Sequence, residues 1–158
     1  MSPQQEAFMK EALRLAEENV GSGVGGPFGC VIVKDGEIIA RGQNRVTETI
    51  DPTAHAEVVA IREACQHLNS FQLTDCEVYA SCEPCPMCLG AIYWARPKAV
   101  YFANRRQDAA AIGFDDEFIY KEIELPPNER QIPMIRVDID QALSAFQMWQ
   151  EDGDKDLY

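Results

Sequence analysis

The chain has 158 residues, 26 of them Asp or Glu against 14 Lys or Arg, with a formal net charge of −12 and a pI near 4.5. That length suits one domain around one core, and so acidic a balance disfavours a tRNA- or DNA-gripping surface and either favours a small neutral substrate or serves solubility alone. The polar, acidic start and the lack of any apolar run near the roughly 18 residues of a membrane span argue against a secretory signal and a transmembrane segment, so the expected location is cytoplasmic.

Ser2-Pro3-Gln4-Gln5 reads as a helix start, with a capping serine, a first-turn proline and a glutamine able to close a capping box. Phe8, Ala12, Leu15 and Ala16 then recur at helical spacing, and a glycine-rich stretch from Gly21 to Gly26 ends the helix. Those glycines spell G-x-G-x-x-G, but a helix precedes them and a strand follows, the reverse of the order a dinucleotide site needs. They are expected to form a flexible loop leading into Pro27-Phe28. Phe28 to Lys34 is an apolar, β-branched strand, Asp35-Gly36 a two-residue hairpin signal, and Glu37 to Arg41 the returning strand. A loop through Asn44 and Asp51-Pro52-Thr53 follows, and Thr53 is expected to cap a helix running to about Leu68.

Further on, Glu77 to Ser81 reads as a strand, Pro84 to Trp94 as a helix and Ala99 to Phe102 as another strand, an arrangement that implies a parallel crossover. A loop, a short acidic-aromatic helix from Asp115 to Lys121, a last strand from Met134 to Asp138 and a last amphipathic helix from Gln141 to Gln150 complete the reading. No repeat, low-complexity block or linker divides the chain.

Chemistry concentrates in His55-Ala56-Glu57 and Pro84-Cys85-Pro86-Met87-Cys88. His55, Cys85 and Cys88 supply three soft metal ligands, and three protein ligands with an open position mark a catalytic zinc, whereas a structural zinc is closed by four. Cys85 and Cys88 are spaced so that the first turn of a helix brings both sulfurs to one face, and helix N-termini favour thiolates. Residues two apart do not share a helix face, but Glu57 need reach only a water and the substrate beyond the metal. Zinc in such a site activates water near neutral pH, and a neighbouring carboxylate can move protons as both base and acid. This is the signature of the zinc nucleobase deaminases.

Three other readings compete. Cys82-x-x-Cys85-x-x-Cys88 resembles the start of an iron–sulfur run, but Ile92 stands where that run has its next cysteine. Cys82 could close the zinc as a fourth ligand, which would leave Glu57 without a role. All these groups could be buried thiols around a satisfied histidine. Cys30 and Cys65 read as small buried hydrophobes, with disulfides not expected in a reducing compartment, and His67 as solvated surface.

These strings resemble the cytidine/deoxycytidylate deaminase superfamily and, within it, the bacterial guanine deaminases. The resemblance rests on Gly25-Gly26-Pro27-Phe28-Gly29, Asp51 to Glu57, Cys82 to Ala95 and Gly113-Phe114-Asp115-Asp116, and it runs over nearly the whole chain. It implies an α/β fold, a three-layer α/β/α sandwich with a central mixed sheet, formed by residues 1–158 as a single zinc-dependent deaminase domain. It implies one Zn2+ per subunit on His55, Cys85 and Cys88, Glu57 as proton shuttle, and guanine plus water giving xanthine plus ammonia. It further implies substrate contacts from Phe28, Asn44, Trp94 and Asp116, with Tyr158 closing over the pocket. A homodimer in which about residues 138–158 are exchanged between subunits follows from the same resemblance, with a small purine as partner and neither nucleic acid nor membrane. Core packing for Phe28 and Trp94, a turn role for Asn44 and a charged helix start for Asp115-Asp116 are the plain alternatives. Guanosine deamination, tRNA adenosine deamination and a catalytically silent zinc-binding interaction module are the rival functions.

Overall fold

The computed structural model describes residues 1–157; the expected pocket-closing Tyr158 lies outside the described residues. It comprises two compact units, one from Met1 to Asp116 and one beginning at Glu117.

The first unit opens with helix α1 (Pro3–Ser22). Its start is the expected capping box: the Gln5 backbone N–H donates to Ser2 Oγ at 3.1 Å, and the Ser2 N–H donates to Gln5 Oε1 at 2.9 Å. The helix runs through Gly21 and ends where Gly23 adopts φ 71°, a left-handed cap that glycine takes without strain. Strands β1 (Gly29–Lys34) and β2 (Glu37–Gln43) form the expected hairpin, with Lys34 opposite Glu37. Asp35 and Gly36 both have positive φ, 51° and 80°, as the tight turn between two right-twisted strands demands.

A one-turn helix α2 (Val46–Thr49) occupies part of the expected loop. Helix α3 (Ala56–Leu68), strand β3 (Glu77–Cys82), helix α4 (Pro86–Ala95), strand β4 (Ala99–Asn104) and a short helix α5 (Arg106–Ala111) complete this unit. Two expected helix starts move. The cap of α3 is His55 rather than Thr53, and the cap of α4 is Cys85, with Pro86 rather than Pro84 opening the helix. Thr53 instead donates both its N–H and its hydroxyl to Asp51 Oδ1, a local turn ahead of the helix.

The sheet order is β2-β1-β3-β4, antiparallel at the first two junctions and parallel between β3 and β4. Strand side chains alternate between faces, so each face gathers its own core. Cys30, Ile32 and Val78 pack with Ala56, Ala60 and Ala64 of α3, while Val31, Val33 and Tyr79 pack with Met9, Ala12 and Leu15 of α1. The mixed sheet thus lies between helices on both faces. Small residues set the spacing. A Cβ on Gly42 of β2 would run into the carbonyl of Ala56, so α3 lies directly on the sheet there and its start is fixed.

In the second unit, helices α6 (Glu117–Glu124) and α7 (Ser144–Glu151) form close to where the sequence places them. The expected strand from Met134 to Asp138 does not form. Its apolar alternation is present, but a strand exists only by pairing, and among the described residues nothing forms a ladder with it. Ile135 and Val137 are largely exposed, as are Phe146 and Met148 of α7.

Candidate active site

The starts of α3 and α4 converge. His55 and Cys85 are both helix caps in extended conformation, with φ/ψ of −71°/155° and −66°/168°, and Cys88 lies one turn into α4. The sulfurs of Cys85 and Cys88 each stand 3.5 Å from His55 Nδ1, and the three ligand atoms lie within 4.8 Å of one another. A tetrahedral zinc with Zn–S of about 2.3 Å and Zn–N of about 2.0 Å requires a sulfur-to-nitrogen distance of about 3.5 Å. The donor set therefore fits the metal in identity and in spacing.

Its protonation pattern points the same way. Hydrogen bonding from the Cys88 thiol, with His55 on the other side, draws Cys85 down to about 4. The same hydrogen bond, burial and the neighbouring Glu57 push Cys88 up. His55 is raised by the bond to Cys85. A cysteine drawn down in this way is held as thiolate, the form that ligates a metal.

Glu57 is 8% exposed, and its Oε2 lies 3.4 Å from Cys88 Sγ. Burial raises its pKa, with Cys85 adding to the effect. Because His55 sits outside the helix, the rule that residues two apart face opposite ways does not apply, and both side chains reach the same cavity. Cys82 also borders that cavity but points elsewhere, its thiol 3.6 Å from the Arg105 carbonyl. It is not part of the ligand cluster, so a closed shell with Cys82 as fourth ligand does not form.

The cavity, about 420 Å3, is lined by His55, Glu57, Cys85, Phe28, Asn44 and Asp116, among others. Phe28 meets Phe114 edge to face, ring centroids 4.9 Å apart. Asn44 is buried, and its Oδ1 accepts from the backbone N–H groups of Gly26 and Val46 at 3.5 and 3.3 Å. With the oxygen committed, the amide NH2 is what Asn44 offers to the cavity. Burial, and then Cys85, raises the pKa of Asp116. Trp94, by contrast, is 64% exposed near the end of α4 and does not line this cavity.

Two participants escape a reading of the sequence. Phe114 stands in the Gly-Phe-Asp-Asp string, which signals a site but not an aromatic wall. Glu83 accepts from the Arg106 N–H at 3.2 Å while its own N–H donates to the Asn104 carbonyl, so the loop carrying Cys85 is stitched to the start of the segment carrying Phe114 and Asp116.

Residues 2–104 match the model of the cytidine and deoxycytidylate deaminase zinc-binding region. The chain belongs to that family. Zinc is its cofactor, one ion per subunit, and the His55, Cys85 and Cys88 cluster fits it. The guanine deaminase of Bacillus subtilis (strain 168) is 61% identical over 153 residues, 97% of this chain and 98% of that protein. The crystal structure of that species' guanine deaminase superimposes with a TM-score of 0.96 at 60% identity, covering 100% of this chain and 99% of the other. A tRNA-specific adenosine deaminase of Aquifex aeolicus (strain VF5) is 48% identical over 99 residues, 63% of this chain and 65% of that protein. Similarity to the two enzyme types thus differs most in how far along the chain it extends.

Proposed function

We propose that this protein is a zinc-dependent guanine deaminase, converting guanine and water to xanthine and ammonia. The observation that carries the reading is one cavity lined by a three-ligand cluster that fits zinc, a buried carboxylate beside it and two aromatic rings set edge to face, in a chain similar over nearly its whole length to a guanine deaminase.

His55, Cys85 and Cys88 hold the ion. When bound, zinc supplies the Lewis acidity that makes water a nucleophile near neutral pH. Glu57 accepts the proton of the attacking water and passes it to the ring nitrogen beside the amino-bearing carbon; it then takes the proton of the hydroxyl newly bonded to that carbon and delivers it to the amino group, which leaves as ammonia as the C–N bond breaks and the carbonyl forms. Burial suits it to this exchange, since a carboxyl with a raised pKa both takes and returns a proton readily. Phe28 presses on the base with Phe114 at its edge, the Asn44 NH2 donates to an acceptor of the ring, and Asp116 accepts from the amino group. Guanine presents further N–H donors along the same edge, whereas adenine and cytosine do not and leave the acceptor unpaired, which costs on the order of 1–3 kcal/mol.

The functional unit is a homodimer with its C-terminal segment exchanged. The apolar residues exposed in the second unit, Ile135, Val137, Phe146 and Met148, support this, because a patch of that kind calls for cover. Trp94, exposed in the single chain, completes the pocket in that assembly. No helix among the described residues is long and apolar enough to cross a membrane, and the acidic surface suits a cytoplasmic enzyme acting on a free base.

An ammonia-release assay over guanine, guanosine, adenine, cytosine and cytidine, with metal analysis of the same sample, tests the proposal. The expected result is deamination of guanine by protein holding one zinc per chain, with the activity lost on chelation. Preference for guanosine, or deamination of adenosine in a tRNA anticodon arm, overturns it.

A further inference from the structure

We infer that Asn19, on the last turns of α1, is a positioning residue that sets Asn44 and the glycine segment at the purine pocket. The inference rests on the role proposed for Asn44. Asn19 is 2% exposed, a polar side chain buried at the end of an otherwise apolar helix face. Its Nδ2 donates to two carbonyls at 2.8 Å, those of Gly26 and Asn44. A side-chain amide facing two acceptors can present only its NH2, so both of its donor hydrogens are used. Asn44 Oδ1 in turn accepts from the Gly26 N–H, which closes a ring of contacts among Asn19, Gly26 and Asn44.

The ring explains the second half of the glycine run, Gly25 and Gly26. A Cβ on Gly25 would collide with the Asn44 carbonyl and stand 2.9 Å from Asn19 Nδ2. One on Gly26 would stand 3.3 Å from both Phe114 and Phe28. Gly25 and Gly26, expected as part of a flexible loop, are therefore held in place by these contacts. It lets the chain pass between α1 and the end of β2 closely enough for a buried amide to hold it. Asn19 belongs to neither the ligand cluster nor the cavity lining, and its side-chain hydrogen bonds reach the lining at Gly26 and Asn44, so its effect on substrate is transmitted through them.

Truncation of Asn19 removes the side-chain donor of the buried Asn44 carbonyl, leaves the Gly26 carbonyl with the Phe28 N–H alone, and frees Asn44 to turn. The experiment measures guanine kcat and KM, zinc content and thermal unfolding for the full-length parent, Asn19→Ala, Asn44→Ala and the double variant. Asn19→Ala is expected to raise KM roughly tenfold with kcat lowered less than threefold and zinc still at one per chain. In the Asn44→Ala background the same change is expected to alter KM less than twofold, because the residue it acts through is gone. An unchanged KM, or a KM rise that persists in the Asn44→Ala background, overturns the inference. Should Asn19→Ala not accumulate as folded protein, Gly25→Ala displaces the Asn44 carbonyl from the other side and is expected to give the same KM rise and the same non-additivity; a parental KM overturns the inference. If the parent itself releases no ammonia from guanine, the proposed function has failed instead.

Discussion

Replacing Glu57 by glutamine isolates proton transfer from everything else the side chain does. The substituted amide would keep the volume that fills this buried position and would still offer Cys88 an oxygen at the place where Glu57 Oε2 lies 3.4 Å from the sulfur. It would also relieve the desolvation that raises the Glu57 pKa, so the variant should fold at least as well as the parent. What it cannot do is take a proton from water and return it. General acid–base catalysis by one group contributes about 10²–10⁴-fold, and here one carboxylate serves more than one transfer. The expected loss in kcat is therefore at least about 10³-fold, or roughly 4 kcal/mol in the barrier. The assay is ammonia release from guanine at saturating substrate, with zinc measured on the same preparation. A kcat within tenfold of the parent refutes the role of Glu57. Zinc lost in proportion to activity refutes it too, because Glu57 would then be holding the metal.

Three further outcomes follow from contacts elsewhere. Gly42→Ala drives a Cβ into the backbone of α3 at Ala56, where only a shift of the helix can relieve it; urea denaturation should show a loss of about 3 kcal/mol, and a zinc-competition titration should show weaker binding because His55 caps that helix. Phe114→Ala removes the partner of the edge-to-face pair with Phe28 and should raise guanine KM about tenfold with zinc unchanged, a Phe28–Phe114 double-mutant cycle giving about 0.5–1.5 kcal/mol of coupling in stability. Glu11, held down to about 2 by Arg14 and Arg41, contributes stability that is present above its unfolded pKa near 4.5 and disappears as pH falls from there towards 2. Glu11→Gln should therefore lower stability at pH 7 by at most about 1 kcal/mol, since the partners are half exposed, and melting curves of parent and variant should converge across that acidic range.

Local features of the sequence determined a good deal here. Ser2 and Gln5 cap a helix through bonds three residues apart, Asp35-Gly36 turns a hairpin because both residues accept positive φ, and the two-residue period of a strand assigns Cys30 and Val31 to opposite cores. The ligand triad is legible for the same kind of reason: His-x-Glu and Cys-x-x-Cys carry their chemistry in residue type and short spacing. Tertiary structure decided what depends on distant partners. Thr53 lost the capping position to His55 because its own donors turn to Asp51, and that one shift lets His55 and Glu57 reach the same cavity. The apolar alternation at Met134 to Asp138 forms no strand without a ladder to join. Phe28 finds Phe114, and Asn19 finds Asn44, only once sheet and helices have packed, because no periodicity links residues so far apart in the chain. Spacing along the backbone encodes bonds a few residues long; contacts between distant segments exist only after the core has brought them together.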